Sequence, residues 1–138
     1  IIKSSRALSV TSVLVDPFEL ETVYASTLTG LYKTTDGGKL WGRIGQSLQD
    51  QMLFSMILDR AQKGVIYLGG REGVHRSEDG GATWGTLNTG LATLNIRSLV
   101  QSPTDPAVFY AGTNGSGLYS SKNRGETWES VPTTLSSQ

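Results

Sequence analysis

One short segment recurs three times along the 138-residue chain, and this repeat constrains the fold more than any other feature of the sequence. Its copies occupy residues 34–41, 77–84 and 121–128, and each copy ends in tryptophan. The tryptophans lie 43 and 44 residues apart. A period of about 20 to 50 residues is typical of chains that stack one supersecondary unit repeatedly. The sequence therefore predicts three copies of a single unit.

Each unit contains four short segments rich in Val, Ile, Leu, Tyr and Thr, separated by Gly, Asp, Asn and Pro. This pattern is typical of β-strands joined by tight turns. Asp-Gly pairs at 36–37 and 79–80 supply the positive φ that a tight hairpin needs between the third and fourth strands. No window keeps a helical apolar stripe for three turns, so almost no helix is expected. In the first unit, strands A to D are predicted at about 10–15, 22–26, 30–34 and 40–44.

A four-stranded antiparallel sheet of about 43 residues is the unit of a β-propeller blade. The sequence therefore predicts an all-β fold, a β-propeller made of four-stranded antiparallel blades with three blades per chain. Residues 1–138 are predicted to form a single propeller segment, with blades at about 8–44, 51–87 and 94–131.

Composition excludes several functions. Twelve Lys and Arg residues balance 12 Asp and Glu residues, so no net charge draws the chain to nucleic acid or to an anionic membrane. The chain has no cysteine and a single histidine, which excludes thiolate and histidine-rich metal sites. No apolar run approaches the roughly 18 residues of a membrane span. We expect no cofactor, no bound metal, no nucleic-acid partner and no membrane insertion.

The repeated segment resembles the Asp-box, or BNR repeat, whose pattern is Ser/Thr-x-Asp-x-Gly-x-Thr-Trp. Its copies here are TTDGGKLW, SEDGGATW and SKNRGETW. The surrounding residues are most similar to sortilin-type receptors, xyloglucan-cleaving glycosidases and photosystem II assembly factor-like proteins. This resemblance implies a β-propeller with its boxes at the periphery, away from the binding face, and it favours an extracytoplasmic location. The residues themselves leave the compartment open.

The box residues are predicted to be structural. Hydroxyl, carboxylate and amide groups at the first and third positions can satisfy backbone N–H groups of a tight hairpin, while the indole rings pack between neighbouring sheets. Asn123 replaces the aspartate in the third box but accepts the same hydrogen bond, so that hairpin is expected to keep its shape. His75 aligns with Tyr32 and Tyr119, which indicates a packing role. The structural set is Asp36, Trp41, Asp79, Trp84, Asn123 and Trp128.

No catalytic residue is assigned. The sequence has no cysteine nucleophile and no serine in a strained elbow, and it lacks the Arg-Ile/Leu-Pro signature that introduces sialidase chemistry in the resembled family. The interpretation we favour is a non-catalytic binding or scaffold module. The alternative is a glycoside hydrolase, or a fragment of one, with carboxylates on the loop face, because spacing selects no pair among the acidic loop residues.

In propellers, ligands bind on the face shared by the D-to-A and B-to-C loops. By that analogy the candidate face is polar with one aromatic residue, which suits a glycan or a peptide. Thr11, Phe54 and Arg97 align near the start of strand A and are expected to point into the central channel. The predicted binding set is Thr27, Gln49, Asp50, Phe54, Arg71, Glu72, Asn95, Arg97 and Asn114.

Three blades are too few for a closed ring, since about four to eight are typical. Ile1 aligns with Ile44, Leu87 and Val131, which places both chain ends in the same phase of the repeat. We expect a homodimer in which blade 3 of one chain packs against blade 1 of the other, so that a second chain completes the ring to six blades. The competing interpretation is a fragment of a longer propeller.

Overall fold

The computed structural model describes residues 8–132, which form three four-stranded antiparallel sheets. Strand order within each sheet follows the chain, and we call the sheets blades 1, 2 and 3. The strands are β1 (Val10–Val15), β2 (Val23–Thr27), β3 (Gly30–Thr34) and β4 (Gly42–Ile44) in blade 1, β5 (Leu53–Leu58), β6 (Ile66–Gly70), β7 (Gly73–Ser77) and β8 (Gly85–Thr86) in blade 2, and β9 (Ile96–Gln101), β10 (Phe109–Thr113), β11 (Leu118–Ser121) and β12 (Glu129–Ser130) in blade 3.

Tight turns form where the sequence places its turn residues. Gly37 and Gly80 both have φ of 72°, and Arg124 occupies the matching position of blade 3 with φ of 56°. The only helical segment among residues 8–132 is the three-residue 3-10 turn Gln46–Leu48. Within this part of the chain, no helix is long and apolar enough to cross a bilayer. Ile1, whose alignment suggested matching chain ends, lies outside the described residues.

The first strands of neighbouring blades lie beside one another, and polar side chains join them. Thr11 Oγ1 donates to the Leu53 carbonyl over 2.7 Å, which links blade 1 to blade 2. Ser55 Oγ accepts from the Leu99 N–H at 3.1 Å and donates to the Leu99 carbonyl at 3.2 Å, which links blade 2 to blade 3. The first strands therefore run along the inner side of the blade stack.

The hydrophobic core lies between the blades. One cluster fills the space between blades 1 and 2, where Leu31, Leu53 and Leu68 are completely buried. A second cluster fills the space between blades 2 and 3, where the rings of Tyr67 and Phe109 meet edge to face with centroids 4.7 Å apart. Stacking of successive blades therefore supplies the burial that a single four-stranded sheet lacks.

The tryptophans of the repeat differ in their burial. Trp128 is 3% exposed in the cluster between blades 2 and 3, and Trp84 packs on the cluster between blades 1 and 2. For Trp41 the burial of the ring between neighbouring sheets stays a prediction, because no described sheet covers that side of blade 1. Its ring lines an apolar pocket on the open face, together with Leu8, Val10, Val13, Ala25, Thr27 and Tyr32.

Candidate ligand-binding face

Backbone hydrogen bonds sort the loops into two faces. The B-to-C loop of each blade bonds to a D-to-A loop or to its end: Asp50 N donates to the Thr29 carbonyl at 3.1 Å, and Asn114 N donates to the Asn95 carbonyl at 3.0 Å. On the opposite side, the C-to-D turns form hydrogen bonds with the A-to-B turns. In blade 2, for example, Gly80 N donates to the Gly64 carbonyl at 2.9 Å. The D-to-A and B-to-C loops therefore share one face, which we call the loop face, as the sequence predicted.

Each first strand carries a register shift near its start, on the side of the loop face. The shifts occur between Val10 and Ser12 and between Leu53 and Ser55 in blades 1 and 2, and a matching irregularity faces Ile96 and Ser98 in blade 3. A bulge of this kind redirects the side chain of the extra residue. The residues at these three bulges are Thr11, Phe54 and Arg97.

Two of these bulge residues contact each other. The guanidinium carbon of Arg97 lies 4.4 Å from the centroid of the Phe54 ring, a cation–π stack that spans blades 2 and 3. Arg97 is exposed and Phe54 is partly buried. A stacked guanidinium keeps its in-plane N–H groups free for a carboxylate, an amide carbonyl or a hydroxyl. The pair therefore presents a flat surface that combines a cation with hydrogen-bond donors.

The other predicted site residues lie on loops of the same face. Gln49, Asp50, Arg71, Glu72 and Asn114 are exposed on loops of the loop face, and Asn95 is partly buried. Asp50 has a φ of 65°, a left-handed conformation that aspartate tolerates in turns.

Thr27 departs from the predicted set. It is 1% exposed, and its hydroxyl donates to the Gly30 carbonyl at 2.7 Å and accepts from the Thr29 N–H at 3.1 Å. Thr27 therefore shapes its loop from within and offers no group to a ligand.

Two buried oxygens on the D-to-A loops have no hydrogen-bond partner among the described residues. They are Oε1 of Gln51 and Oδ1 of Asn95. Buried polar atoms are normally paired, so each retains the capacity to accept a hydrogen bond. Sequence analysis missed Gln51, and the only available signal was its position next to Asp50.

The box residues hold their own hairpins together. Ser77 Oγ accepts from the Gly81 N–H at 2.9 Å and donates to Asp79 Oδ1 at 2.7 Å. Hydrogen bonds from the side chain and backbone of Thr83 and from Ser77 lower the pKa of Asp79 to about 2. Asn123 Oδ1 repeats the arrangement in blade 3, accepting from the Thr127 N–H at 3.0 Å. An amide thus replaces the carboxylate, which fits a structural group rather than an acid or base catalyst.

Burial shifts the pKa values of several side chains between the blades, among them Tyr24, Tyr67 and His75. Burial, with a contribution from Asp16, raises the pKa of Tyr24 to about 12, and the Tyr24 hydroxyl donates to the Gly80 carbonyl at 3.3 Å. His75 is 6% exposed, its Nε2 has no partner among the described residues, and burial lowers its pKa although Glu72 opposes the shift. The position of His75 in a buried strand agrees with a packing role. Within residues 8–132, no three acidic or histidine side chains converge to hold a metal ion.

Comparison with known proteins gives the fold a wider context. No family model and no curated protein matches the chain. Solved structures do: an ancestral GH74 enzyme shares 21% sequence identity at a TM-score of 0.77, over 91% of this chain and 19% of that one. The GH74 xyloglucanase from Xanthomonas campestris gives 20% identity and a TM-score of 0.70, over 89% of this chain and 23% of that one. YCF48 bound to D1 peptide gives 18% identity and a TM-score of 0.65, over 93% and 42%.

The chain is a three-bladed part of a β-propeller. It spans about a fifth to two fifths of the length of these similar structures, and at such low identity the likeness concerns the fold alone. Both end blades of this propeller segment present apolar side chains to solvent, including Val13 at 57% and Val100 at 52% exposure. Further blades, from another chain or from a longer one, are needed to cover these faces.

Proposed function

We propose that the chain is a non-catalytic β-propeller module that binds a peptide or a glycan on its loop face. The observation that carries this proposal is the stack of Arg97 on Phe54 at 4.4 Å, placed where the inner strands begin. The exposed guanidinium of Arg97 over the Phe54 ring, with polar loops on the same face, is suited to bind an extended polar ligand.

The Arg97 stack offers hydrogen-bond donors, and exposed Gln49, Asp50 and Asn114 offer acceptors on the same loop face. A ligand with alternating donors and acceptors satisfies both. Peptide backbones and sugar rings have this character. One protein of similar fold, YCF48, is described as bound to D1 peptide, which supports a peptide as the first ligand class to test.

The three repeated segments are, in this proposal, Asp-boxes with a purely structural role. Their support is the shared hydrogen-bond pattern, in which Thr34, Ser77 and Ser121 each accept from the backbone N–H four residues later. All three boxes lie opposite the loop face, so they contribute nothing to ligand contact.

A second copy of the chain completes the ring in this proposal, giving six blades and a homodimer. Six lies within the usual range of about four to eight blades. A closed ring also gives the loop face a continuous rim, with each bulge residue present twice.

Binding to arrayed peptides and to xyloglucan oligosaccharides tests the proposed function. We expect Arg97→Ala to weaken a detected interaction about tenfold, the equivalent of about 1.4 kcal/mol. Arg60→Ala is the matched control, because Arg60 is also exposed but lies on the A-to-B turn of the opposite face. Equal loss from both variants, or no binding to either array, contradicts the proposed site.

The glycoside hydrolase alternative is favoured by one observation, the likeness to GH74 enzymes at TM-scores up to 0.77. Release of reducing sugar from xyloglucan, abolished by Asp50→Asn or Glu72→Gln, would establish it. Binding of an oligosaccharide without turnover favours the non-catalytic module.

A further inference from the structure

We propose that the open face of blade 3 docks onto the open face of blade 1 of a second copy, with Tyr110 and Trp41 at the centre of the seam. This inference rests on the six-bladed ring proposed above, and it identifies the residues and hydrogen bonds that close that ring. It follows from a positional match between the open faces and the two blade interfaces that the structure contains.

One face of each blade packs on the blade that follows. In blades 1 and 2 this forward face is apolar, with a tyrosine at its centre. Its residues are Leu14, Tyr24, Leu31 and Ile44 in blade 1, and Ile57, Tyr67, Val74 and Leu87 in blade 2. The same positions of blade 3 hold Val100, Tyr110, Leu118 and Val131. Blade 3 thus presents a complete forward face, with Val100 52% and Tyr110 40% exposed.

The opposite face of each blade receives the blade that precedes it. This rear face carries the tryptophan of the repeat. Its residues are Leu53, Met56, Ile66, Leu68 and Trp84 in blade 2, and Ile96, Leu99, Phe109, Ala111 and Trp128 in blade 3. The same positions of blade 1 hold Val10, Val13, Val23, Ala25 and Trp41. Blade 1 thus presents a complete rear face, with Val10 52% exposed.

Polar contacts across the existing interfaces identify two hydrogen bonds of the seam. Tyr24 donates to the Gly80 carbonyl, so Tyr110 is placed to donate to the partner's Gly37, the matching glycine of the first box. Ser55 bonds to both backbone groups of Leu99, so Ser98 is placed to bond to the backbone of the partner's Val13. The Ser98 hydroxyl and the Tyr110 phenol are polar groups on an otherwise apolar face, so their hydrogen bonds fix how the two blades align across the seam.

Within residues 8–132 the two faces cannot meet each other. Blade 2 lies between them, and three blades are too few to close a ring. Two copies joined forward face to rear face form two equal seams around a two-fold axis, which leaves no blade face exposed. No charged side chain is among the eleven residues named for the two faces and their polar contacts, so stacking like that inside the chain meets no electrostatic barrier.

Engineered cysteines test this geometry directly, because the chain has no cysteine of its own. Ser98 and Val13 match Ser55 and Leu99, and Ser55 Oγ lies 3.1 Å from the Leu99 backbone nitrogen, so the two positions are close enough for a disulfide. The variant carrying both Ser98→Cys and Val13→Cys is therefore expected to form a covalent dimer under mild oxidation. The single variants Ser98→Cys and Val13→Cys are expected to stay uncrosslinked. Crosslinking of a single variant indicates like faces in contact and overturns the proposal.

Light scattering after size-exclusion chromatography supplies an independent measurement. We expect the mass of two chains for the wild type and of one chain for Val13→Lys. Adding Val100→Glu to Val13→Lys sets opposite charges across both seams and is expected to restore the dimer. Thr86→Lys is the control, because Thr86 is exposed on the edge strand β8 of blade 2, which carries neither open face. A monomeric wild type overturns the seam.

The failure of this inference is distinguishable from failure of the proposed function. A monomer that binds peptide through Arg97 contradicts the seam and leaves the ligand site intact. A dimer with the expected crosslink that binds neither ligand class contradicts the ligand site and leaves the seam intact.

Discussion

Nε of Arg124 donates a hydrogen bond to the Asp59 carboxylate over 3.1 Å, and this contact joins a turn of blade 3 to a turn of blade 2. The Asp59 side chain is completely buried and also accepts from the Ala61 N–H at 2.9 Å. Arg124 holds a left-handed φ of 56° at a position where the other two boxes have glycine. Backbone strain and charge pairing therefore oppose each other at a single residue.

Replacing Arg124 by glycine separates these effects. Glycine relieves the left-handed strain, which is worth about 1 kcal/mol. The same change leaves the buried Asp59 carboxylate without its cation, which costs about 3–5 kcal/mol. We expect Arg124→Gly to lower the free energy of unfolding by about 2 kcal/mol or more, measured by urea titration. Arg124→Lys, which keeps the charge, is the control, and a more stable glycine variant would show that strain dominates.

Removing the Ser77 hydroxyl tests the structural role of the boxes. That hydroxyl accepts from the Gly81 N–H inside a buried turn, so Ser77→Ala leaves a buried donor unpaired. We expect a loss of about 1–3 kcal/mol in the free energy of unfolding. Ser77→Thr is expected to retain most of the stability, because Thr34 fills the same position in blade 1. Exposed Ser47 supplies a control, and an equal effect of Ser47→Ala would contradict the assignment.

The repeat predicted much of the fold because strand propensity and turn chemistry are local. Strand A at 10–15 and strand C at 30–34 match β1 and β3, whereas strand D begins two residues later than expected, at Gly42. The hydrogen bonds of Asp36 were also predictable, since they involve backbone groups three and four residues away. Within one hairpin, the number of residues between two groups determines how far apart they lie.

Contacts between blades were not predictable at the same level. Alignment placed Phe54 and Arg97 near the channel, but their stacking depends on the bulge in each strand and on the rotation between blades. Arg124 and Asp59 lie 65 residues apart, and no local pattern pairs them. Thr27 looked like a loop residue, yet its own turn buries it, because a short polar side chain beside Gly30 satisfies the backbone.

Tryptophan truncation compares an internal interface with an open face. Trp128 is 3% exposed, and its Nε1 donates to the Leu87 carbonyl at 3.0 Å across the interface. Trp128→Ala is expected to lower the free energy of unfolding by about 3–5 kcal/mol. Trp41→Ala is expected to cost about 1 kcal/mol or less at protein concentrations too low for association, because no described blade covers its ring. Denaturant unfolding at two protein concentrations checks both values, and equal losses under dilute conditions would contradict the difference in burial.

Acidification is expected to destabilise the fold through His75. Burial lowers the pKa of His75 in the folded chain, so below the unperturbed value of about 6.5 the unfolded chain binds more protons. The contribution of His75 is therefore constant above pH 6.5, and stability falls as the pH drops below that value. Thermal unfolding between pH 7.5 and pH 5 measures the effect. His75→Tyr, which installs the residue found at the matching positions 32 and 119, removes an ionisable group from this range. An unchanged pH dependence in that variant would assign the acid sensitivity to other residues.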